Sequence, residues 1–169
     1  MAYDMALMIE KIVSGGQTGV DRAALDVALA LGMPCSGWCP QGRRAEDGVI
    51  PARYPLTETG SGNYALRTEW NVRDADATLI INAGPLDGGT RLTAVLAGRL
   101  GKPCLVLDAD GGPEPERVLA WLREHDVRVL NVAGPRESGR PGIYRRAVVI
   151  LREVFAGNRT NRDVECEDP

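Results

Sequence analysis

The chain has 169 residues, a length that predicts one domain with a substantial hydrophobic core. Its net charge of −3 provides no basic field for nucleic acid, and four cysteines without a CxxC pair, with one histidine, predict no metal site. The sequence has no leader-type N-terminus and no apolar run of about 18 residues, so we expect a cytoplasmic protein without a membrane partner.

The first predicted elements are a strand, a glycine turn and a helix. The strand spans Met8 to Val13, and the helical spacing of small and apolar residues predicts a helix over Gly19 to Leu31. The glycines between them suit a sharp turn, and the start of the helix favours an anion such as phosphate. Asp21 either caps this helix or binds a ribose hydroxyl. The candidate binding residues of this turn are Ser14, Gly15, Gly16, Gln17 and Thr18.

A second strand is predicted over Cys35–Trp38, and a long segment without periodicity follows over Cys39–Ser61. A structureless stretch of that length in a compact domain is commonly functional, so we expect a lid or an oligomer contact. Arg43 and Arg44 come soon after the strand. We expect these two arginines to reach over the site and bind phosphate, which guanidinium groups bind through two hydrogen bonds.

A second helix, predicted over Asn63 to Asp74, places Arg67, Asn71 and Asp74 on one helix face. Such a stripe is either a solvated surface or a contact with a ligand or a second subunit, and Arg67 and Asn71 are candidate binding residues. The next strand, Ala77–Asn82, is continuously apolar, as in a central strand of a parallel sheet.

A second glycine turn precedes a helix predicted over Arg91–Leu100. Its candidate binding residues are Gly84, Gly88, Gly89 and Thr90. Further strands are predicted at Pro103–Leu107 and Val127–Asn131, and further helices at Glu114–Glu124 and Tyr144–Phe155.

This alternation predicts a single-domain α/β fold, a doubly wound parallel sheet of Rossmann-like type, over residues 1–157, with a disordered tail at 158–169. Ligands bind such sheets at the carboxyl ends of the strands, so both glycine turns should face one site. Valine at Gly16 or Gly89 should then abolish binding in a folded protein.

Four segments carry a family resemblance: SGGQTGVDRAALDVA, GWCPQGRRAEDGVIPARYPLTET, RTEWNVRDADATLI and GPLDGGTRLT. Together they resemble the molybdenum-carrier family, part of a Rossmann-like nucleotide-binding group that includes the cytokinin-activating phosphoribohydrolases. The resemblance implies binding of molybdenum cofactor (molybdopterin), a phosphorylated pterin, or of another nucleotide-like ligand, without protein ligands to the metal. We expect a small phosphorylated ligand as partner and a homo-oligomer.

One departure from the phosphoribohydrolases concerns catalysis. Their PGGxGTxxE-like turn ends in a catalytic Glu, and Thr93 stands at its place here. The resemblance therefore favours a binding protein over an enzyme. Two alternatives stay open: an enzyme acting on a nucleotide or nucleotide sugar, with Glu46, Asp47 or Glu69 as acid or base, and a nucleotide-sensing scaffold that regulates a partner.

Overall fold

A computed structural model describes residues 9–156 of the chain. The predicted start of the first strand at Met8 and the predicted tail at 158–169 lie outside these residues. The strands are β1 Lys11–Val13, β2 Cys35–Ser36, β3 Trp38–Cys39, β4 Arg44–Ala45, β5 Gly48–Val49, β6 Thr57–Glu58, β7 Ala77–Asn82, β8 Cys104–Asp108 and β9 Val129–Ala133. The helices are α1 Val20–Ala30, α2 Tyr64–Arg73, α3 Gly88–Arg99, α4 Pro115–Glu124 and α5 Ile143–Phe155.

Five of these strands form the central parallel sheet, in the order β2-β1-β9-β7-β8. All six residues of β7 are buried, as its continuous apolar sequence predicted for a strand covered on both faces. The predicted α/β Rossmann-like fold is confirmed. The last strand in the chain, β9, lies between β1 and β7, so it joins two halves of the sheet that are distant in sequence.

The helices form two layers around this sheet. In one layer α1 packs against α5 and α5 against α4, and in the other α2 packs against α3. The core between them includes Ile12, Leu79, Ile81, Leu130 and Val132, all fully buried side chains of the central strands. No helix within residues 9–156 is both long enough and apolar enough to cross a membrane.

Several helix ends follow from local chemistry. The side chain of Asn63 accepts a hydrogen bond from Ala65 N at 2.9 Å and so caps α2, which ends at Arg73 with Asp74 as its C-cap, one residue before the predicted end. By contrast, α3 begins at Gly88, three residues before the predicted start. The second glycine turn is therefore shorter than expected, and two of its glycines belong to the first turn of the helix.

The predicted strand over Cys35–Trp38 is wrong as a single element. Its first half, β2, pairs with β1 in the central sheet, whereas β3 pairs with β6 in a separate two-stranded sheet. Gly37 separates the two, and a Cβ atom at this position would lie 1.8 Å from Ser14 O. The chain thus crosses over the end of β1 at a residue that has no side chain.

The segment 39–61 is more ordered than its sequence predicted. It contributes to two small sheets, β3 with β6 and β4 with β5, and to a cluster of buried side chains next to α1. The members of this cluster are Leu25, Cys39, Ile50, Tyr54 and Leu56. Strands of two residues are too short to show periodicity, so they could not be predicted from the sequence.

A carboxylate on α1 fastens this segment to the rest of the fold. Asp26 accepts hydrogen bonds from Tyr54 Oη at 2.7 Å and from Tyr144 Oη at 2.6 Å. Burial and the nearby Asp26 carboxylate raise the pKa of Tyr144 to about 12. Asp26 therefore ties the segment 39–61, α1 and α5 together.

Candidate functional site

The candidate site is a cleft at the carboxyl ends of β1, β7 and β9. Its walls are the first glycine turn with the start of α1, the second glycine turn with the start of α3, and residues 133–140 after β9, while α2 closes the remaining side. The volume of the cleft is about 180 Å³. Pockets for drug-sized ligands occupy about 300–1,000 Å³, so a larger ligand would extend beyond the mouth of the cleft.

Residues 133–140, AGPRESGR, form a wall that sequence reasoning did not assign to the site. A Cβ atom at Gly134 would lie 2.3 Å from Ile81 O and 2.5 Å from Val20 Cγ2, so only glycine fits there. Arg136 lines the cleft with a side chain that is more than half exposed. The signal that could have identified this wall was Gly-Pro-Arg directly after a buried strand.

Three N–H groups at the first glycine turn and the start of α1 bond to the protein itself. Gln17 N donates to Asp21 Oδ2 at 3.2 Å, Thr18 N donates to Gln17 Oε1 at 3.0 Å, and Val20 N donates to Pro135 O at 3.2 Å. A carboxylate also stands where the anion was expected. The prediction of a phosphate at the start of α1 is therefore corrected, because protein atoms close this turn.

Glycines in the first turn are required by packing within the protein. A Cβ atom at Gly16 would lie 2.4 Å from Leu56 Cδ1, and one at Gly19 would lie 2.2 Å from Pro135 O. Both glycines also have φ near +80°, a conformation that side chains disfavour. We expected valine at Gly16 to leave the protein folded. The packing contradicts this, because it leaves no room for a side chain at this position.

The polar side chains of the first turn hold neighbouring segments in place. Ser14 Oγ donates to Val132 O at 2.8 Å, Gln17 Oε1 accepts from Glu46 N at 2.9 Å, and the Thr18 hydroxyl donates to the Glu46 carboxylate. Of the three, Gln17 lines the cleft, whereas Ser14 and Thr18 do not. The turn thus links β9 and the segment 39–61.

A buried ion pair lies between the first turn and α2. Arg67 Nη1 donates to Asp21 Oδ2 at 3.0 Å, and the two side chains are 14% and 6% exposed. A Cβ atom at Gly15 would lie 1.6 Å from Arg67 Nη1, so the glycine makes room for the arginine. Burial raises the pKa of Asp21, and the charge and hydrogen bond of Arg67 only partly oppose this. Arg67 Nε is a buried donor without a partner among residues 9–156.

The second glycine turn is open. A Cβ atom at Gly88 or Gly89 would meet nothing within 4 Å. Asp87 precedes α3 without capping it, and its carboxylate instead accepts a hydrogen bond from Arg140 Nη2 at 3.0 Å. Within the described residues, the N–H groups of Gly88, Gly89 and Thr90 have no hydrogen-bond partner. The positive end of the α3 dipole therefore faces the cleft, and no protein group within the described residues bonds to it.

Two further residues of this turn have mainly local roles. Gly84 O accepts a hydrogen bond from Asn82 Nδ2 at 2.7 Å, and Gly84 does not line the cleft. Thr93 Oγ1 donates to Gly89 O at 2.8 Å within α3. Thr90 and Thr93 are buried and line the cleft, so their hydroxyl groups border it.

The polar stripe on α2 divides into two roles. Arg67 points to Asp21, whereas Asn71 accepts from Trp38 N at 2.8 Å and donates to Trp38 O at 3.0 Å. Asp74 accepts from Trp38 Nε1 at 2.7 Å. Asn71 lines the cleft, but its side-chain oxygen and nitrogen are both hydrogen-bonded to the main chain of β3. The stripe was thus correctly placed on one face, and only its first member directs a charged group at the candidate site.

The two arginines expected over the cleft lie elsewhere. The Arg43 guanidinium donates to four main-chain oxygens of its own segment: Ile50 O at 3.1 Å, Leu56 O at 3.1 Å, Pro51 O at 2.9 Å and Tyr54 O at 2.9 Å. Arg44 is exposed, and neither arginine lines the cleft. The expectation that they reach over the site is corrected, because the segment folds around Arg43 and directs its charge inward.

The acids considered for an enzyme, Glu46, Asp47 and Glu69, do not line the cleft. The carboxylates that line it are Asp21 and Asp87. In the part of the chain that the structure describes, no group of three or more His, Cys, Asp or Glu side chains is placed to hold a metal ion.

A sequence model of the circularly permutated YpsA SLOG family matches residues 12–155. The chain belongs to this family. A solved structure described as a "putative molybdenum carrier protein", from Syntrophus aciditrophicus SB, shares 43% identity, covers 91% of this chain and 99% of its own, and has a TM-score of 0.87. The predicted family resemblance is confirmed. No curated protein matches the chain.

The cleft of this SLOG family member has two chemically different sides. The α3 side offers uncapped N–H groups and the nearby Arg140, which bonds to Asp87. The α1 side offers the carboxylate of Asp21, held by Arg67. Such an arrangement can bind an anion on one side and a hydrogen-bond donor on the other.

Proposed function

We propose that this chain is a carrier that binds a phosphorylated heterocycle in the cleft, with molybdenum cofactor as the candidate cargo. The observation that carries the proposal is the open start of α3, where three N–H groups lack partners within residues 9–156. Phosphate binds well at such a helix start, because the N–H groups and the helix dipole both favour negative charge. The similarity to a protein described as a molybdenum carrier supports the choice of cargo.

Arginines on the neighbouring wall fit an anion in this position. Arg140 is anchored to Asp87 and fixes the second turn. Arg136 is more exposed and lies 4.0 Å from Glu46, a distance at which the ion pair is weak. Its guanidinium is therefore available to turn towards a phosphate in the cleft.

Molybdenum cofactor brings its metal already bound to the sulfur atoms of the pterin. The protein then has to hold the phosphate and the ring, and it needs no cysteine or histidine ligands of its own. Because the acids Glu46, Asp47 and Glu69 lie outside the cleft, the arrangement supports a carrier better than the enzyme that was the alternative.

Calorimetry with inorganic phosphate tests the proposal. Gly89→Val places a branched side chain in open space at the start of α3, so we expect at least a roughly tenfold loss of phosphate affinity. Gly98→Val is the matched control, because Gly98 lies in the same helix, is exposed and has nothing within 4 Å of its Cβ position. Equal affinities of the two variants would overturn the phosphate site.

Native mass spectrometry of the purified protein identifies the cargo. We expect a bound mass that corresponds to a phosphorylated pterin, with or without molybdenum, and a free nucleotide in its place would replace the candidate cargo. Light scattering on the same preparation tests the proposed homo-oligomer, and a monomeric mass would contradict it.

A further inference from the structure

One oxygen of the Asp21 carboxylate is unused by the protein. Oδ2 accepts hydrogen bonds from Arg67 Nη1 at 3.0 Å and from Gln17 N at 3.2 Å. Oδ1 accepts none from residues 9–156, yet it is not among the polar atoms that are sealed from solvent without a partner. Asp21 lines the cleft, so this oxygen is an acceptor that a bound molecule can reach.

A second buried side chain that lines the cleft carries a similar group. Asn131 is 2% exposed, and its Nδ2 donates to Thr78 Oγ1 at 3.2 Å. Its side-chain oxygen accepts no hydrogen bond from the described residues and is likewise not sealed from solvent. The lining of the cleft therefore offers two acceptor oxygens that residues 9–156 leave unused.

We infer that Asp21 and Asn131 select a ligand that presents a hydrogen-bond donor to these unused oxygens, either an exocyclic amino group of the heterocycle or a hydroxyl of its sugar. This inference rests on the proposed function, which places the phosphate at α3. A carboxylate repels a phosphate, so the two parts of the ligand have a defined orientation. A site built to receive a donor discriminates strongly against an analogue without it, because the buried acceptor would then lose its partner.

Three nucleotides provide the first test on the unmodified protein. GMP and IMP differ by one exocyclic amino group, and GMP and 2′-deoxy-GMP differ by one sugar hydroxyl. We expect GMP to bind at least roughly tenfold more tightly than one of the other two, as loss of a hydrogen bond to a charged group predicts. The weaker analogue identifies the donor. Equal affinities of all three, within about twofold, would overturn the inference.

Asp21→Asn provides the second test, because the neighbouring donors determine how its side-chain amide is oriented. Two donors, Arg67 Nη1 and Gln17 N, converge on the position of Oδ2, so the amide oxygen should take that position. The amide NH₂ then replaces Oδ1 and turns an acceptor into a donor. We expect the preference among the three nucleotides to disappear. An unchanged preference would contradict the inference.

Two controls separate this inference from the proposed function. Asp47→Asn removes a carboxylate that pairs with Arg22 outside the cleft, so the preference for GMP should persist in that variant. Inorganic phosphate should bind the unmodified protein and Asp21→Asn alike. Failure of phosphate to bind the unmodified protein would defeat the proposed function, whereas phosphate binding without nucleotide discrimination would defeat the inference alone. If Asp21→Asn does not fold, the nucleotide series on the unmodified protein decides the matter.

Discussion

Two glycine turns flank β9, and they use their glycines in opposite ways. In the first turn, Cβ atoms at Gly16 and Gly19 would collide with Leu56 and with the main chain of Pro135. In the second turn, the Cβ position at Gly84, Gly88 or Gly89 is open for at least 4 Å. The first turn is filled by the protein itself, whereas the second leaves room next to unpaired N–H groups.

The difference shows that a glycine-rich turn between a strand and a helix has two distinct uses. Glycine allows close approach, and the approaching group can be either the protein itself or a ligand. Here Arg67, Leu56 and Pro135 approach the first turn, and a ligand is proposed to approach the second. Substitutions in the first turn should therefore change stability, and those in the second should change binding.

The largest expected effect comes from Arg67→Met, which leaves the buried Asp21 carboxylate without its partner. Removing one member of a buried ion pair typically costs about 3–5 kcal/mol in free energy of unfolding. We expect a loss of that size in urea unfolding at neutral pH. Arg73→Met is the control, because Arg73 pairs with Asp74 at the surface and should cost less than about 1 kcal/mol. Equal losses would mean that the first turn does not depend on its ion pair.

Gly19→Ala should have the next largest effect. Its φ of 79° and the 2.2 Å approach to Pro135 O predict a loss of about 3 kcal/mol, from backbone strain and overpacking combined. Gly89→Ala is the matched change in the second turn, and we expect its free energy of unfolding to stay within about 1 kcal/mol of the parent. If both alanine variants unfold at the same urea concentration, the two turns are not different in packing.

Tyr144→Phe should have the smallest effect and depend on pH. It removes a hydrogen bond to Asp26, which helps to hold the segment 39–61 over the first turn, at a cost of about 1.5 kcal/mol. The pKa of Tyr144 is raised from 10.0 to about 12, so this stabilisation is complete below pH 10 and is lost as pH rises towards 12. Urea unfolding at pH 8 and pH 11 should show the difference between variant and parent decreasing. A constant difference would contradict the role given to this phenol.

Much of the fold could be predicted because its signals are local. The continuous apolar run Ala77–Asn82 predicted both bounds of a central strand. Asn63 and Asp74, which flank α2, marked the limits of that helix. Fold class followed from the alternation of such elements. Short strands such as β4 and β5 were missed because two residues cannot show a period.

The site was only partly predictable, because its decisive features are contacts between distant residues. Nothing near Arg43 in the sequence indicates that its guanidinium donates hydrogen bonds to four main-chain oxygens. Likewise, the ion pair of Arg67 with Asp21 joins residues 46 positions apart. The wall at 133–140 was missed because strand order places β9 between β1 and β7, and strand order cannot be derived from periodicity.

The central position of β9 also has a consequence for how the protein is made. Residues 129–133 are synthesised after every other strand found within residues 9–156, yet they pair with both β1 and β7. Until they leave the ribosome, β1 with β2 and β7 with β8 are separate ribbons with exposed edges, and the pairing of β1 with β9 closes a loop of more than a hundred residues. The cleft is therefore complete only after this strand has docked, and under the proposed function a nascent chain could bind its cargo only from that point.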